Sequence, residues 1–100
     1  MSLKEQLRGD LTAAMKAKDD DQSKVRMATL RMALSAISTE EVSGAQARVL
    51  SDDEVIVVLA REAKKRRESA DDYESAGRPE LAATELAELA VLQAYLPEQL

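Results

Sequence analysis

Five of the seven residues from Arg61 to Arg67 are basic: Arg61, Lys64, Lys65, Arg66 and Arg67, interrupted by Glu62 and Ala63. Cations at this density suit phosphate oxygens, which Arg meets with a planar fork and Lys as a point charge. At about 100° per residue a helix sprays Lys64 to Arg67 around its axis. Arg61 and Lys65 then share one face, and Lys64 and Glu68 another. The cluster has two readings. One is a solvated helix surface in which Glu62 supports Arg66 at i,i+4 spacing. The other is a patch contacting a nucleic-acid backbone through Arg61, Lys64, Lys65 and Arg67. No aromatic residue interleaves the cluster, so it offers no stacking platform. It could position a phosphate backbone without reading its sequence. Arg26 and Arg31 add two cations upstream, which read first as surface or hairpin ion pairs.

Other chemistry is poorly provided for. The chain has no His, hence no ordinary general base near neutral pH and none of the commonest metal ligand. It has no Cys, which removes disulfides, thiolate chemistry and Cys-ligated zinc. A serine nucleophile would lack its His partner. Acidic groups are plentiful at Asp19 to Asp21, Glu40-Glu41, Asp52 to Glu54 and Asp71-Asp72. Most fall at expected helix ends, where capping explains them. A calcium loop opening at Asp19 would need a bidentate Glu at its twelfth position, and Leu30 stands there. Gly9, Gly44 and Gly77 are too scattered for a phosphate loop. The expectation is no catalytic residue, no metal and no cofactor.

The composition bounds what can position these residues. Hydrophobic residues make up 45% of 100, supplied mostly by the helix formers Ala and Leu. Tyr73 and Tyr95 are the whole aromatic content. Such a core is built from aliphatic seams, as in helix bundles. A net charge of −5 leaves nucleic-acid contact to a local basic patch. The N-terminus has no apolar signal region, and no apolar run approaches a membrane span. A soluble cytoplasmic protein with no membrane contact is expected.

Four helices can be placed. Ser2 with Glu5, and Ser51 with Glu54, are Ser-x-x-Glu capping boxes that open the first and third. The first spans about 2–19, with Leu3, Leu7, Leu11 and Met15 as its stripe and Lys16 and Lys18 near its end. One acid of Asp19 to Asp21 caps the second, at 22–42, whose seam is Met27, Leu30, Leu34 and Ile37 and whose stop is Gly44. The third spans 52–76 and ends at Gly77. Val55 to Leu59 also fits a buried strand, but the capping box and the helical pattern beyond it oppose that. Pro79 opens the fourth, at 79–95, with Leu81, Leu86, Leu89, Leu92 and Leu96 as its seam and Pro97 as its stop. Short connections make antiparallel neighbours, so the fold class is all-α: four helices as two antiparallel helical hairpins. Tyr95, Leu96, Pro97 and Leu100 form an apolar end with nothing after it to cover it. Tyr95, Leu96 and Leu100 are therefore candidate partner contacts.

Several of these segments resemble one family. They are Arg31-Met32-Ala33-Leu34-Ser35-Ala36-Ile37, Glu40-Glu41-Val42, Leu50 to Val55, and Arg61 to Glu68 with Tyr73 and Gly77-Arg78. Glu85 to Glu88 and Leu92 to Leu100 complete the series. Together they resemble the YqeY proteins, the stand-alone GatB/YqeY-like proteins of bacteria, over essentially the whole chain. The resemblance implies an N-terminal helical subdomain preceding a C-terminal three-helix bundle. That bundle is similar to the tail of the B subunit of glutamine-dependent aminoacyl-tRNA amidotransferases. A YqeY-like domain is also appended to some glutaminyl-tRNA synthetases. Family members typically run longer than this chain. Leu100 is expected to fall where the tail-like bundle would begin, leaving the N-terminal part of a truncated chain.

Three functions follow as expectations. The first is an accessory, non-catalytic module associated with a tRNA-dependent amidotransferase or aminoacyl-tRNA metabolism, with tRNA or a tRNA-processing protein as partner. The second is a protein-interaction module without nucleic-acid contact. The third, implied only by the family label, is a carbon–nitrogen ligase with glutamine as amido-N-donor. A dimer covering the terminal leucines fits the same residues.

Overall fold

The computed structural model of the chain describes residues 2–17 and 20–97. Among them are four α-helices and no strand: α1 Leu3–Lys16, α2 Asp21–Glu41, α3 Asp52–Ser75 and α4 Pro79–Gln93. The segment Val55 to Leu59 is helical.

Helix starts follow local side-chain chemistry. Ser2 Oγ accepts from the Glu5 amide at 3.1 Å, and Glu5 Oε1 accepts from the Ser2 amide at 3.2 Å. Ser51 and Glu54 repeat the exchange at 3.2 and 3.0 Å. Both boxes satisfy amides that a helix start otherwise leaves unpaired. Asp20 caps α2 by accepting from the Ser23 amide at 2.6 Å. At the end of α3, Gly77 takes φ +74°. The Gly77 and Arg78 amides then donate back to the Glu74 and Tyr73 carbonyls. That is a Schellman turn, and Pro79 starts α4 directly after it.

Several ends differ from the sequence expectation. Gly44 does not stop α2, because Gly77 alone among the described glycines has positive φ. The helix closes earlier, on Val42, with tight bonds from the Val42 and Ser43 amides to the Thr39 and Glu40 carbonyls. In α1 the cap is Ala17, and the expected Lys18 and Asp19 lie outside the described residues. The chain tightens after Gln93 at the end of α4, where the Tyr95 and Leu96 amides bond three residues back, to the Leu92 and Gln93 carbonyls. Such three-residue turns commonly finish helices.

The hairpins are antiparallel. Lys4 in the first turn of α1 meets Glu41, the last residue of α2. Arg66 in mid-α3 meets Glu85 in mid-α4. The hairpins join where the Leu3 amide donates to Asp52 Oδ1 at 3.0 Å and the Tyr95 hydroxyl donates to Asp10 Oδ2. One apolar cluster draws on all four helices: Leu7 from α1, Leu30 and Ile37 from α2, Val55 and Leu59 from α3, and Leu89 and Leu92 from α4. Full burial of each leucine or isoleucine stabilises by about 1.5–3 kcal/mol.

Two expected seam residues, Met15 and Leu86, are exposed, for geometric reasons. A four-residue repeat advances about 40° per step around a 3.6-residue helix. Met15, two steps beyond Leu7, has rotated out and is exposed, whereas Ala14, seven residues on, returns to Leu7's face and is buried. Leu86 and Leu92 lie on opposite flanks of Leu89. Leu92 is buried and Leu86 is 48% exposed. Leu50, in the connection between α2 and α3, is buried. Its amide donates to Glu41 Oε2 at 3.2 Å, which draws the connection back onto the core.

Candidate nucleic-acid interface

The basic run of α3 is divided by its neighbours. Arg66 lies on the stripe Leu59, Ala63, Ala70 and so points into the α3–α4 seam. Its Nη1 is 3.3 Å from Glu85 Oε2 and 3.9 Å from Glu88 Oε1. Its Nε is buried without a hydrogen-bond partner. The expected Glu62–Arg66 pair does not form, because the partner Glu62 takes is Lys65, at 3.1 Å. Burial, followed by hydrogen bonding and repulsion from Glu85, pushes the Glu88 carboxyl above its ordinary range, against the pull of Arg66.

The four candidate contacts form two pairs on different sides of α3. Arg61 and Lys65 look toward α2. With Met32, Ala36, Val58 and Glu62 among their neighbours, they line a groove of about 450 Å³. There Arg61 Nη2 reaches Glu40 Oε2 at 3.4 Å, and Lys65 Nζ reaches Glu62 at 3.1 Å. Each cation faces a carboxylate, so this wall is close to neutral. Exposed pairs of this kind contribute about 0–1 kcal/mol and exchange readily.

Lys64 and Arg67 lie on the outward side, one helical step apart and exposed. Arg67 is about 120° round the axis from Arg61. Neither Lys64 nor Arg67 enters an ion pair among the described residues. Two unshared cations at i,i+3 spacing can each meet a phosphate on one flank of a backbone. The upstream cations differ in placement: Arg26 borders a second groove, between α2 and α4, and Arg31 is exposed.

The candidate partner contacts at the C-terminal end turn inward. Tyr95 and Leu96 are half-buried against the core. The Tyr95 hydroxyl is pushed above its ordinary range by burial and then by the Asp10 carboxylate it bonds. Pro97 is exposed, and Leu100 lies outside the described residues. No group of three carboxylates among the described residues is arranged to hold a metal ion. No described helix is long and apolar enough to cross a membrane.

Two features escaped the sequence reading although signals for them existed. Arg66 continues the apolar stripe of α3 at the spacing of a core residue, which marks it as inward-facing. Glu85 lies within the Leu81–Leu89–Leu92 seam and Glu88 at its edge, three residues apart, and they supply the counter-charge. The Lys4–Glu41 clamp, at 2.8 and 3.0 Å, had no local signal, because its partners are 37 residues apart.

No curated protein matches the chain. Residues 4–100 match the family described as Yqey-like protein.

Proposed function

The chain belongs to the YqeY family, and from that premise we propose that it is an accessory, non-catalytic module of aminoacyl-tRNA metabolism that touches the tRNA backbone through the outward side of α3. The observation that carries this reading is the pair Lys64 and Arg67, exposed and in no ion pair among the described residues. Arg61 and Lys65 act as auxiliaries. They reach phosphate by leaving Glu40 and Glu62, so each contributes less than an unshared cation does. The contact is sequence-independent, since cations on one helix face meet phosphates rather than base edges. It is also weak, because the chain carries −5 overall and attraction is confined to one patch.

The test is titration of the purified chain with bulk tRNA at several salt concentrations. Each phosphate neutralised gives a slope of about −0.7 to −0.9 in log affinity against log salt. Two contacts predict a slope of about −1.4 to −1.8. The double variant Lys64→Ala/Arg67→Ala is expected to remove most of the binding and flatten the slope. Arg61→Ala/Lys65→Ala is expected to weaken binding less. Absence of binding at low salt, or binding indifferent to Lys64 and Arg67, overturns the reading.

A further inference from the structure

One-third of the chain's residues are charged, yet one face of α4 carries no charge. On the helical wheel Leu86, Ala90, Ala83, Ala94 and Ala87 fall within about 100° of arc, and all five are exposed. The three charges of α4 lie elsewhere: Glu85 and Glu88 face Arg66, and Glu80 sits in the first turn beside Arg78. Between this face and α2 runs a groove of about 440 Å³, lined by Ala87, Ala90, Val91 and Ala94 on one wall and by Val25 and Arg26 on the other. Knob and hole thus stand side by side on one helix, with Leu86 projecting next to a hollow of alanines.

We infer that this face joins two copies of the chain, their α4 helices packed antiparallel about a two-fold axis near Ala87–Ala90, with Leu86 of each seated in the alanine-lined groove of the other. A two-fold contact requires a self-complementary surface, and an adjacent knob and hole on one helix provide it. Alanines let the two helices approach closely. The same register sets the first turn of one α4 over the last turn of the other. Glu80, which also accepts from Arg78 Nε at 2.8 Å, then arrives where Arg26 borders the groove beside Tyr95, and Arg26 enters no ion pair among the described residues. Asp21, at the far end of the α2 wall, lies in the first turn of its own helix, where the helix dipole favours it. The other exposed large apolar residues among those described, Met15, Val42, Val49 and Val57, belong to other parts of the surface.

The contact is small. A helix of 15 residues is about 22 Å long, and one such face offers less than the roughly 800 Å² per partner of a standard interface. The dimer is therefore weak and concentration-dependent. This inference is independent of the tRNA reading.

The test is sedimentation equilibrium of the full chain from micromolar to millimolar concentration, at about 0.15 M salt, which screens the repulsion between two acidic copies. A monomer–dimer equilibrium is expected. Ala90→Lys, at an exposed position, is expected to abolish it with helicity unchanged by circular dichroism. Arg26→Glu is expected to raise the dissociation constant about tenfold, and Arg26→Glu/Glu80→Lys to restore it. A monomer throughout the range overturns the inference, as does a dimer indifferent to Ala90→Lys. Failure of the charge swap to rescue Arg26→Glu overturns the antiparallel register.

Discussion

Arg66 is the basic residue of the α3 run that the fold uses for itself. Its side chain is 21% exposed and its guanidinium serves two carboxylates, Glu85 and Glu88. Replacing it leaves those carboxylates facing each other without a cation, and removing one partner of an inward charge cluster is costly. Arg66→Met is expected to lower stability by about 2 kcal/mol, a value reduced from that of a fully buried pair because the site is partly solvated. Urea denaturation measures this as a lower midpoint at unchanged slope. Lys64→Ala/Arg67→Ala, on the solvated side, is expected to stay within about 0.5 kcal/mol of the parent. A tRNA-binding defect in that double variant is then separable from misfolding. The inward position of Arg66 was legible in the sequence, from its place on the stripe Leu59, Ala63, Ala70. Its partners were not, because α3 spacing alone does not say which helix lies opposite.

Helix ends show where local chemistry suffices and where it fails. The boxes at Ser2 and Ser51 form as expected because each needs only residues three apart. Gly77 closes α3 because its φ of +74° is open to glycine and costly to any residue with a Cβ. Gly77→Ala is expected to cost about 1–2 kcal/mol even though open space surrounds the added methyl. Gly9 lies inside α1, and nothing stands within 4 Å of a Cβ built there. Gly9→Ala is expected to stabilise by up to about 1 kcal/mol through the helix propensity it restores. Thermal melts of the two variants should therefore shift in opposite directions. Gly44, the same residue type in an apparently similar place, closes nothing. The connection after α2 is held by bonds to Glu41, from the Arg48 amide to its carbonyl and from the Leu50 amide to its side chain, so no left-handed residue is required.

Across the whole molecule, two carboxyls respond to pH with opposite signs. Glu41 lies below its ordinary 4.5, first because Lys4 hydrogen-bonds it and then because the Leu50 amide does. Its contribution is complete above 4.5 and fades as pH falls through the lowered value. Glu88 lies above 4.5, chiefly through burial. Its contribution is complete below 4.5 and fades as pH rises through the raised value. Glu41→Gln is therefore expected to lose stability at neutral pH, with the deficit shrinking below pH 4.5. Glu88→Gln is expected to gain at neutral pH and to converge with the parent below pH 4.5. Urea titrations at pH 3.5, 4.5 and 7 check both. The sequence by itself determined that the chain is helical, how many helices there are and where each begins, because propensity, capping and stripe periodicity act within a few residues of one another. It also placed the basic run of α3. Only the tertiary structure decided the fate of those charges: Arg66 inward to α4, Arg61 and Lys65 paired along the α2 groove, Lys64 and Arg67 left in water. It likewise turned Tyr95 and Leu96 back onto the core. Each outcome depends on which helix lies opposite, and that is set by packing between residues tens of positions apart.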